Sequence, residues 1–301
     1  MTPFLEEDDM LDEPEMITIA PIKKINYLNN KDMLREIHRS KNSFCEYIDQ
    51  KYSDYDIIVE NLQEIYLTDV QEKAKATRAA RLAAIAYEAA LFANPGLSKA
   101  DRPKLSEFKI KSDTIPVDDL VFRVLGFDHI PLAPGRKKNP KSVADSHIKL
   151  NFFPFKHFII ENGVAKEVGR SHSKNGKFSL ERGSITNKLA KMFILMVNKY
   201  GQRGNWRGYT YLDEMKGQAL LQLAQMGLQF DEYKSDNPFS YYTASVSNSF
   251  TRVFNLEKKS QDLRDDLLID SGASPSFSRQ LAVEEEIRRL REDVQDSAKD
   301  E

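Results

Sequence analysis

The stretch NPFSYYTASVSNSFTRVF, Asn237 to Phe254, carries five aromatic rings and a run of small hydroxyl side chains, with Arg252 its only charge. Asparagine is a favoured N-cap and proline suits the first helical position, so a helix is predicted from Pro238 to Phe254. Phe250, Val253 and Phe254 fall at the spacing of a buried face. The remaining rings admit two readings: burial against neighbouring helices, or stacking on unpaired bases.

Two further helices are predicted upstream. Ser184 serves as an N-cap for a segment that sets Leu189, Phe193, Met196, Val197 and Tyr200 on one side. The glycine-rich GQRGNWRGY, which holds the only tryptophan, closes it. TYLDEMKGQALLQLAQMGLQF then opens on a Thr210 to Asp213 capping pattern and repeats Leu212, Met215, Leu223 and Met226 along one face. DEYKSDNP turns the chain into the aromatic helix. The result is a three-helix unit over 181–259, followed by a charged tail over 260–301.

Nearer the N-terminus, MTPFLEEDDMLDEPEM has the composition of a flexible acidic leader, assigned to 1–20. INYLNNKDMLREIHRS within 21–48 predicts a helix capped by Asn29 or Asn30 and carrying Met33, Leu34 and Ile37. Alanine-rich TDVQEKAKATRAARLAAIAYEAALFA predicts a long helix with a Thr68 and Gln71 capping box, ended by Asn94, Pro95 and Gly96. Between about 110 and 179 the pattern changes to short β-rich runs, VFRVLGF, IKLNFF and KHFII, with an Asn162-Gly163 hairpin turn before VAKEV. Residues 49–180 thus read as an α+β insertion.

Composition narrows the function. The chain has 301 residues, enough for a substantial core, and no apolar run approaches the length of a membrane span. No signal-like segment opens it, so a cytoplasmic protein is expected. A single cysteine, Cys45, excludes an internal disulfide framework and a cysteine zinc cluster. Net charge is −2, but its distribution is uneven. Met1 to Met16 holds seven acids and no base, whereas Gly135 to Gly208 holds sixteen Lys or Arg against four Asp or Glu. A basic middle suits contact with a polyanion; it is equally compatible with a solvated basic face.

The segment ERGSITNKLAKMFILMVNKYGQRGNWRGYTYLDEMKGQALLQLAQMGLQFDEYKSDNPFSYYTASVSNSFTRVFNLEKK resembles region 2 of bacterial sigma factors. It is most similar to the late-transcription sigma factors of T-even-like bacteriophages, including marine and cyanobacterial ones. INYLNNKDMLREI resembles the N-terminal motif of the same proteins. The resemblance implies a mainly α fold, a region 2-like helical bundle with a large α+β insertion between the N-terminal motif and the bundle. It also implies binding to the clamp coiled coil of bacterial core RNA polymerase through Asp213, Glu214, Gln218 and Gln222. In the family, Glu214 occupies an acidic position and Gln218 stands where a second acid is usual.

For DNA, the resemblance places Phe239 and Tyr242 against a base turned out of the non-template strand of a minus-ten-like element. Asn248, Ser249 and Arg252 then face the upstream edge of the bubble. Ser245 and Val246 stand where the main bacterial sigma factors carry paired tryptophans. No segment resembling the domain that reads the upstream promoter element follows Lys259. The phage family relies there on a late co-activator and on the replication sliding clamp, which it reaches through a hydrophobic and acidic C-terminal motif. Here the tail is a charged helical run in which Phe277, Leu281 and Val283 are the candidate anchors, with a flexible tail as the alternative reading. What the resemblance implies is therefore a non-enzymatic, cofactor-free factor that directs late-promoter recognition and melting in the cytoplasm of an infected bacterial host.

Two rivals remain. FDHIPLAPGRKKNPKSVADSHIKLN has a superficial likeness to an HNH-type nuclease, with Asp128, His129 and His147 as metal-ligand chemistry, although Pro131, Pro134 and Pro140 interrupt the expected pattern. The basic loops GRKKNPK and GRSHSKNGK would alternatively serve a sequence-tolerant DNA-binding regulator by lying on phosphates.

Overall fold

A computed structural model describes residues 29–94 and 102–297, with side chains through 292. The expected acidic leader lies outside the described residues. The fold is mainly helical with a small mixed sheet. In chain order it comprises α1 (Asn30–Asn42), β1 (Cys45–Tyr47), β2 (Ile57–Val59), α2 (Thr68–Ala93), β3 (Phe122–Leu125), β4 (Phe155–Glu161) and β5 (Val164–Ser171). A short hairpin follows, β6 (Ser173–Lys174) and β7 (Lys177–Phe178), and then α3 (Asn187–Gly201), α4 (Leu212–Met226), α5 (Pro238–Asp270) and α6 (Phe277–Ser297).

The largest core joins α1, α3, α4 and the N-terminal half of α5. Met33 and Ile37 of α1 are fully buried in it, as the spacing predicts, and Asn29 caps α1 by accepting from Lys31 N. Leu189, Phe193, Met196, Val197 and Tyr200 of α3 all point inward. Met215, Ala219 and Leu223 form the buried stripe of α4, and Tyr242, Val246, Phe250 and Val253 that of α5. The α4 to α5 connection is tight. A Cβ on Gly227 would sit 2.5 Å from Leu223 O and 2.8 Å from a Phe193 ring carbon, so only glycine fits there without displacement.

The five-stranded sheet has the order β1-β5-β4-β3-β2, antiparallel except for the β2/β3 pair. Asn162 and Gly163 turn β4 into β5 with φ of 53° and 79°, as a two-residue hairpin with primed geometry requires. Ala74 and Ala79 bring α2 onto the core shared with Val59, Leu120, Phe122 and Ile160. Alanine there lets the helix axis lie close to the sheet. Asp56 fixes the contact: its fully buried carboxylate accepts from Arg81 (2.6 Å), Arg78 (3.3 Å) and Val121 N (2.8 Å).

Several local expectations need correction. IKLNFF forms no strand; Leu150 and Phe152 are buried from irregular backbone. β1 and β2, three residues each, were not expected. Because Cys45 to Tyr47 pair with Ser171 to Gly169, the sheet begins inside 21–48, and Phe44, Cys45, Phe152 and Phe155 belong to the helical core. α3 is capped by Thr186 rather than Ser184, Thr68 lies inside α2 with Leu67 at its N-cap, and the N-cap of α4 is Tyr211 without a side-chain bond. α5 does not stop at Phe254 but runs to Asp270, and α6 occupies most of the remaining tail.

Insertion and bundle are joined by a buried charge cluster. Arg123 of β3 is 1% exposed, and its guanidinium carbon lies 3.8 Å from the ring centres of both Tyr55 and Phe155. Nη1 donates to Glu232 Oε2 (2.9 Å) in the α4–α5 connection, and Nε donates to His157 Nε2 (3.0 Å). Nη2 lies 3.2 Å from His38 Nδ1 of α1. Lys41 of α1 reaches the same Glu232 oxygen at 3.4 Å and donates to Phe230 O (2.7 Å). Burial alone would raise the Glu232 carboxyl, but Lys41 and Arg123 outweigh it and hold it below the usual range.

Removing one partner of a buried ion cluster leaves an uncompensated charge, at a cost of about 3–5 kcal/mol. Glu232→Ala is therefore expected to lower the unfolding free energy by about that amount, measured by urea denaturation. Burial also depresses His38, His157, His129 (to about 4) and His172 (to about 3) below the ordinary 6.5. The unfolded chain takes up these protons first. The associated stability is thus present above pH 6.5 and is lost as pH falls toward the folded values. Fully buried His172 alone contributes a slope of about 1.4 kcal/mol per pH unit between roughly pH 6 and 4. Denaturant midpoints measured at pH 7.5, 6 and 5 will show whether stability declines before the carboxylates titrate.

Candidate nucleic-acid interface

The residues expected to contact DNA all belong to α5, and the helix distributes them over different sides. Asn237 Oδ1 caps it by accepting from Ser240 N (3.1 Å), and Pro238 occupies the first turn. From there an α-helix turns about 100° per residue, so Phe239 and Asn248, nine residues apart, project from opposite sides. The five residues do not make one surface.

Tyr242 is 0% exposed. Its ring packs edge-on against Phe193 and Tyr241 and tilts against Phe230, and its hydroxyl donates to Gly227 O. Burial pushes its phenol well above the ordinary range. A base cannot stack on a ring enclosed on every side, so the expectation for Tyr242 is corrected: it is a core residue that ties α5 to the end of α4. Ser249 is also buried, and is corrected likewise. Ser245 and Val246 share that buried face, where small side chains let α4 and α5 approach; Ser245 Oγ lies 3.1 Å from Met226 Sδ.

Phe239, by contrast, is 41% exposed. It rims a small pocket of about 90 Å³ formed with Met196, Lys199 and Tyr200 of α3, Arg203 just after that helix and Thr243 of α5. The Arg203 guanidinium carbon stands 4.3 Å over the Tyr200 ring. Thr243 Oγ1 is buried and has no hydrogen-bond partner among the described residues. An accessible ring and cationic side chains thus line one concavity, with the buried Thr243 hydroxyl beneath them. Sequence reasoning missed the contributions of Lys199, Arg203 and Thr243, because they come from the end of α3 and from one turn into α5.

Asn248 and Arg252 are exposed on another side of α5. With Thr251, Asn255, Leu256 and Lys259 they line a shallow groove of about 380 Å³. This surface offers amides, a hydroxyl and two cations, which suits phosphate and base-edge contacts.

The residues expected to meet polymerase lie on α4. Asp213, Glu214 and Gln218 are exposed and Gln222 is half-buried. Gln218 Nε2 donates to Glu214 Oε1 (2.9 Å) and Lys216 to Asp213 Oδ1 (2.9 Å), while Gln222 turns to Met226. Glu214, Gly217, Gln218 and Leu221 (53% exposed) recur at helical spacing on one face. It is a narrow exposed stripe with small, polar and apolar members.

The alternative metal site is not assembled. Asp128 accepts from Asn139, the His129 ring bonds to Ser171 O (2.9 Å) and His147 is exposed. Among the described residues no group of three or more His, Cys, Asp or Glu is placed to hold a metal ion, and no helix is long and apolar enough to cross a membrane. The basic loops are partly self-engaged: Arg136 pairs with Asp145 (2.5 Å), while Glu46 accepts from Ser173 Oγ and Gly176 N in the β6–β7 hairpin.

These placements separate two aromatic substitutions. Tyr242→Ala is expected to cost about 3–5 kcal/mol of stability and Tyr242→Phe about 1 kcal/mol. Phe239→Ala is expected to cost about 1 kcal/mol or less. Thermal and urea unfolding of the three variants measures this. Comparison of the chain with protein-family models, with curated proteins and with solved structures found no match.

Proposed function

We propose that the chain is a sigma-like initiation factor of a T-even-like phage, which joins bacterial core RNA polymerase and holds melted late-promoter DNA in the cytoplasm of the infected host. The observation that carries this reading is the Phe239 concavity. An exposed ring stands beside Arg203 and Lys199, with the unpartnered Thr243 hydroxyl behind it. A base removed from its stack needs a ring to replace its neighbours and a cation near its phosphate. Phe239, not Tyr242, is the ring assigned to this task.

The rest of the reading follows the sequence resemblance. The α4 stripe around Glu214 is the contact for the polymerase clamp coiled coil, with acidic and amide groups setting orientation. Arg252 and Lys259 in the α5 groove lie along duplex phosphates at the edge of the opened region. Stacking one base contributes ~1–3 kcal/mol and each broken DNA step costs ~1.4 kcal/mol, so the polymerase must supply most of the opening. A late co-activator and the sliding clamp are further partners within this proposal, and no catalytic step is assigned to the chain.

The test mixes the purified chain with core polymerase and a promoter carrying an A/T-rich minus-ten-like element. Phe239→Ala is expected to reduce affinity for the unpaired non-template strand by about 5- to 100-fold while leaving co-purification with core intact. Glu214→Lys should do the reverse. Arg252→Ala should lower the salt dependence of duplex binding by about one phosphate contact. Loss of core binding in Phe239→Ala, or specific DNA binding by the chain that needs no polymerase, would replace this reading with that of an independent DNA-binding regulator.

A further inference from the structure

Beyond Lys259 the chain leaves the core. The last part of α5 exposes Leu263 and Leu267, and α6 is exposed at every described side chain except Arg279, which is half-buried. The two helices are joined at their turn, where Asp265 accepts from Ser276 N (2.8 Å) and Oγ (2.6 Å) and Arg279 meets Asp266 at 3.4 Å. Past that turn α6 is exposed at every described side chain from Gln280 to Glu292. Yet it is not polar all round: Val283, Ile287 and Leu290 are 46%, 43% and 58% exposed and follow one another by four and three residues. That is a heptad stripe with Gln280 and Ile287 at a, and Val283 and Leu290 at d. A helix with an uncovered stripe of this kind needs a partner to be stable in water.

The flanking charges identify the occupant. In this register Arg279 and Glu286 fall at g, and Glu284 and Arg291 at e. In a parallel, in-register pair each g residue faces the e residue of the partner's next heptad. Arg279 then meets Glu284 of the second copy, and Glu286 meets Arg291, and the symmetry repeats both pairs. No antiparallel register that keeps the apolar layers together pairs opposite charges along both edges. The stripe Leu256, Ser260, Leu263 and Leu267 on α5 fails the same test, since a parallel pair would set Lys259 against Arg264. In the second heptad Ile287 at a with Leu290 at d also favours two strands.

We infer that α6 pairs with α6 of a second copy of this chain as a short parallel coiled coil, making a two-fold dimer whose helical bundles stay free on either side. The interaction does not rest on the proposed polymerase and promoter contacts, and it shares only Val283 with the clamp anchors that the sequence resemblance implies. It is short, so it is expected to be reversible on dilution.

Sedimentation velocity of the full chain from about 1 to 100 µM tests it. The mass is expected to rise from the 34.6 kDa of one chain toward twice that value. Ile287→Asp with Leu290→Asp should remain monomeric at every concentration with an unchanged melting temperature, because neither side chain touches the bundle. Glu286→Arg should weaken dimerisation at least about tenfold, and adding Arg291→Glu should restore it, which an antiparallel pair would not permit. Val283→Cys should cross-link to itself under mild oxidation, since d residues face each other only in the parallel register. A chain that stays at 34.6 kDa throughout overturns the inference, as does a dimer that survives the double aspartate substitution or one whose Val283→Cys form does not cross-link.

Discussion

The arrangement depends on what surrounds one guanidinium. Arg123 comes from the middle of the sheet, and its charge cannot be carried into the interior without neutralisation, because the desolvation of a buried ion costs several kcal/mol. Rings lie against it from β4, Phe155, and from the segment before β2, Tyr55, but neither element supplies an acid to it. The neutralising carboxylate is Glu232, in the connection between α4 and α5, with Lys41 of α1 on the same oxygen. Three parts of the chain far apart in sequence must meet for any of them to be stable. The insertion is consequently part of the folded core and not a module tethered to it.

That constraint reaches the candidate interface. Glu232 holds the connection that leads into α5, and its position fixes where the helix begins. At the other end of the contact, α1 offers Asn30 Oδ1 to Phe239 N (3.2 Å). The first turn of α5 is therefore held by its own Asn237 cap, by α1 and, one turn further on, by the Tyr242 bond to Gly227. Phe239 projects from a backbone with little freedom. Ordering a flexible side chain at a binding site typically costs about 0.5–1.5 kcal/mol, and a ring presented from a fixed turn avoids most of the corresponding backbone cost.

Much of the helical architecture was legible because it rests on spacing. Leu189 to Tyr200, Met215 to Leu223 and Phe250 with Val253 are buried where a 3.6-residue period places them. Extending that period backwards from Phe250 gives Val246 and Tyr242. The burial of Tyr242 is thus written in the same pattern, four residues before Val246. Strands β1 and β2 were not legible: three residues hold no alternation to read, and their pairing partners lie more than sixty positions away. The charge cluster was invisible for the same reason, since nothing local marks Arg123 as buried. The Thr243 hydroxyl could have been suspected only from its place one turn after Phe239.

The helical core also relates the two surfaces assigned to different partners. The α4 stripe around Glu214 and the ring of Phe239 are separated by packed side chains: Met215, Ala219 and Leu223 on the inner side of α4, then Tyr242, Phe193 and Phe230. Close-packed interiors transmit position rather than absorb it. A helix docked on α4 would thereby set the location and tilt of the Phe239 concavity without any conformational change, through rigid geometry alone. This is a different requirement from affinity, and the small, tightly fitted residues between α4 and α5, such as Ala219, Gly227 and Ser245, would meet it. Enlarging one of them would move the ring relative to the docked helix before it abolished either contact.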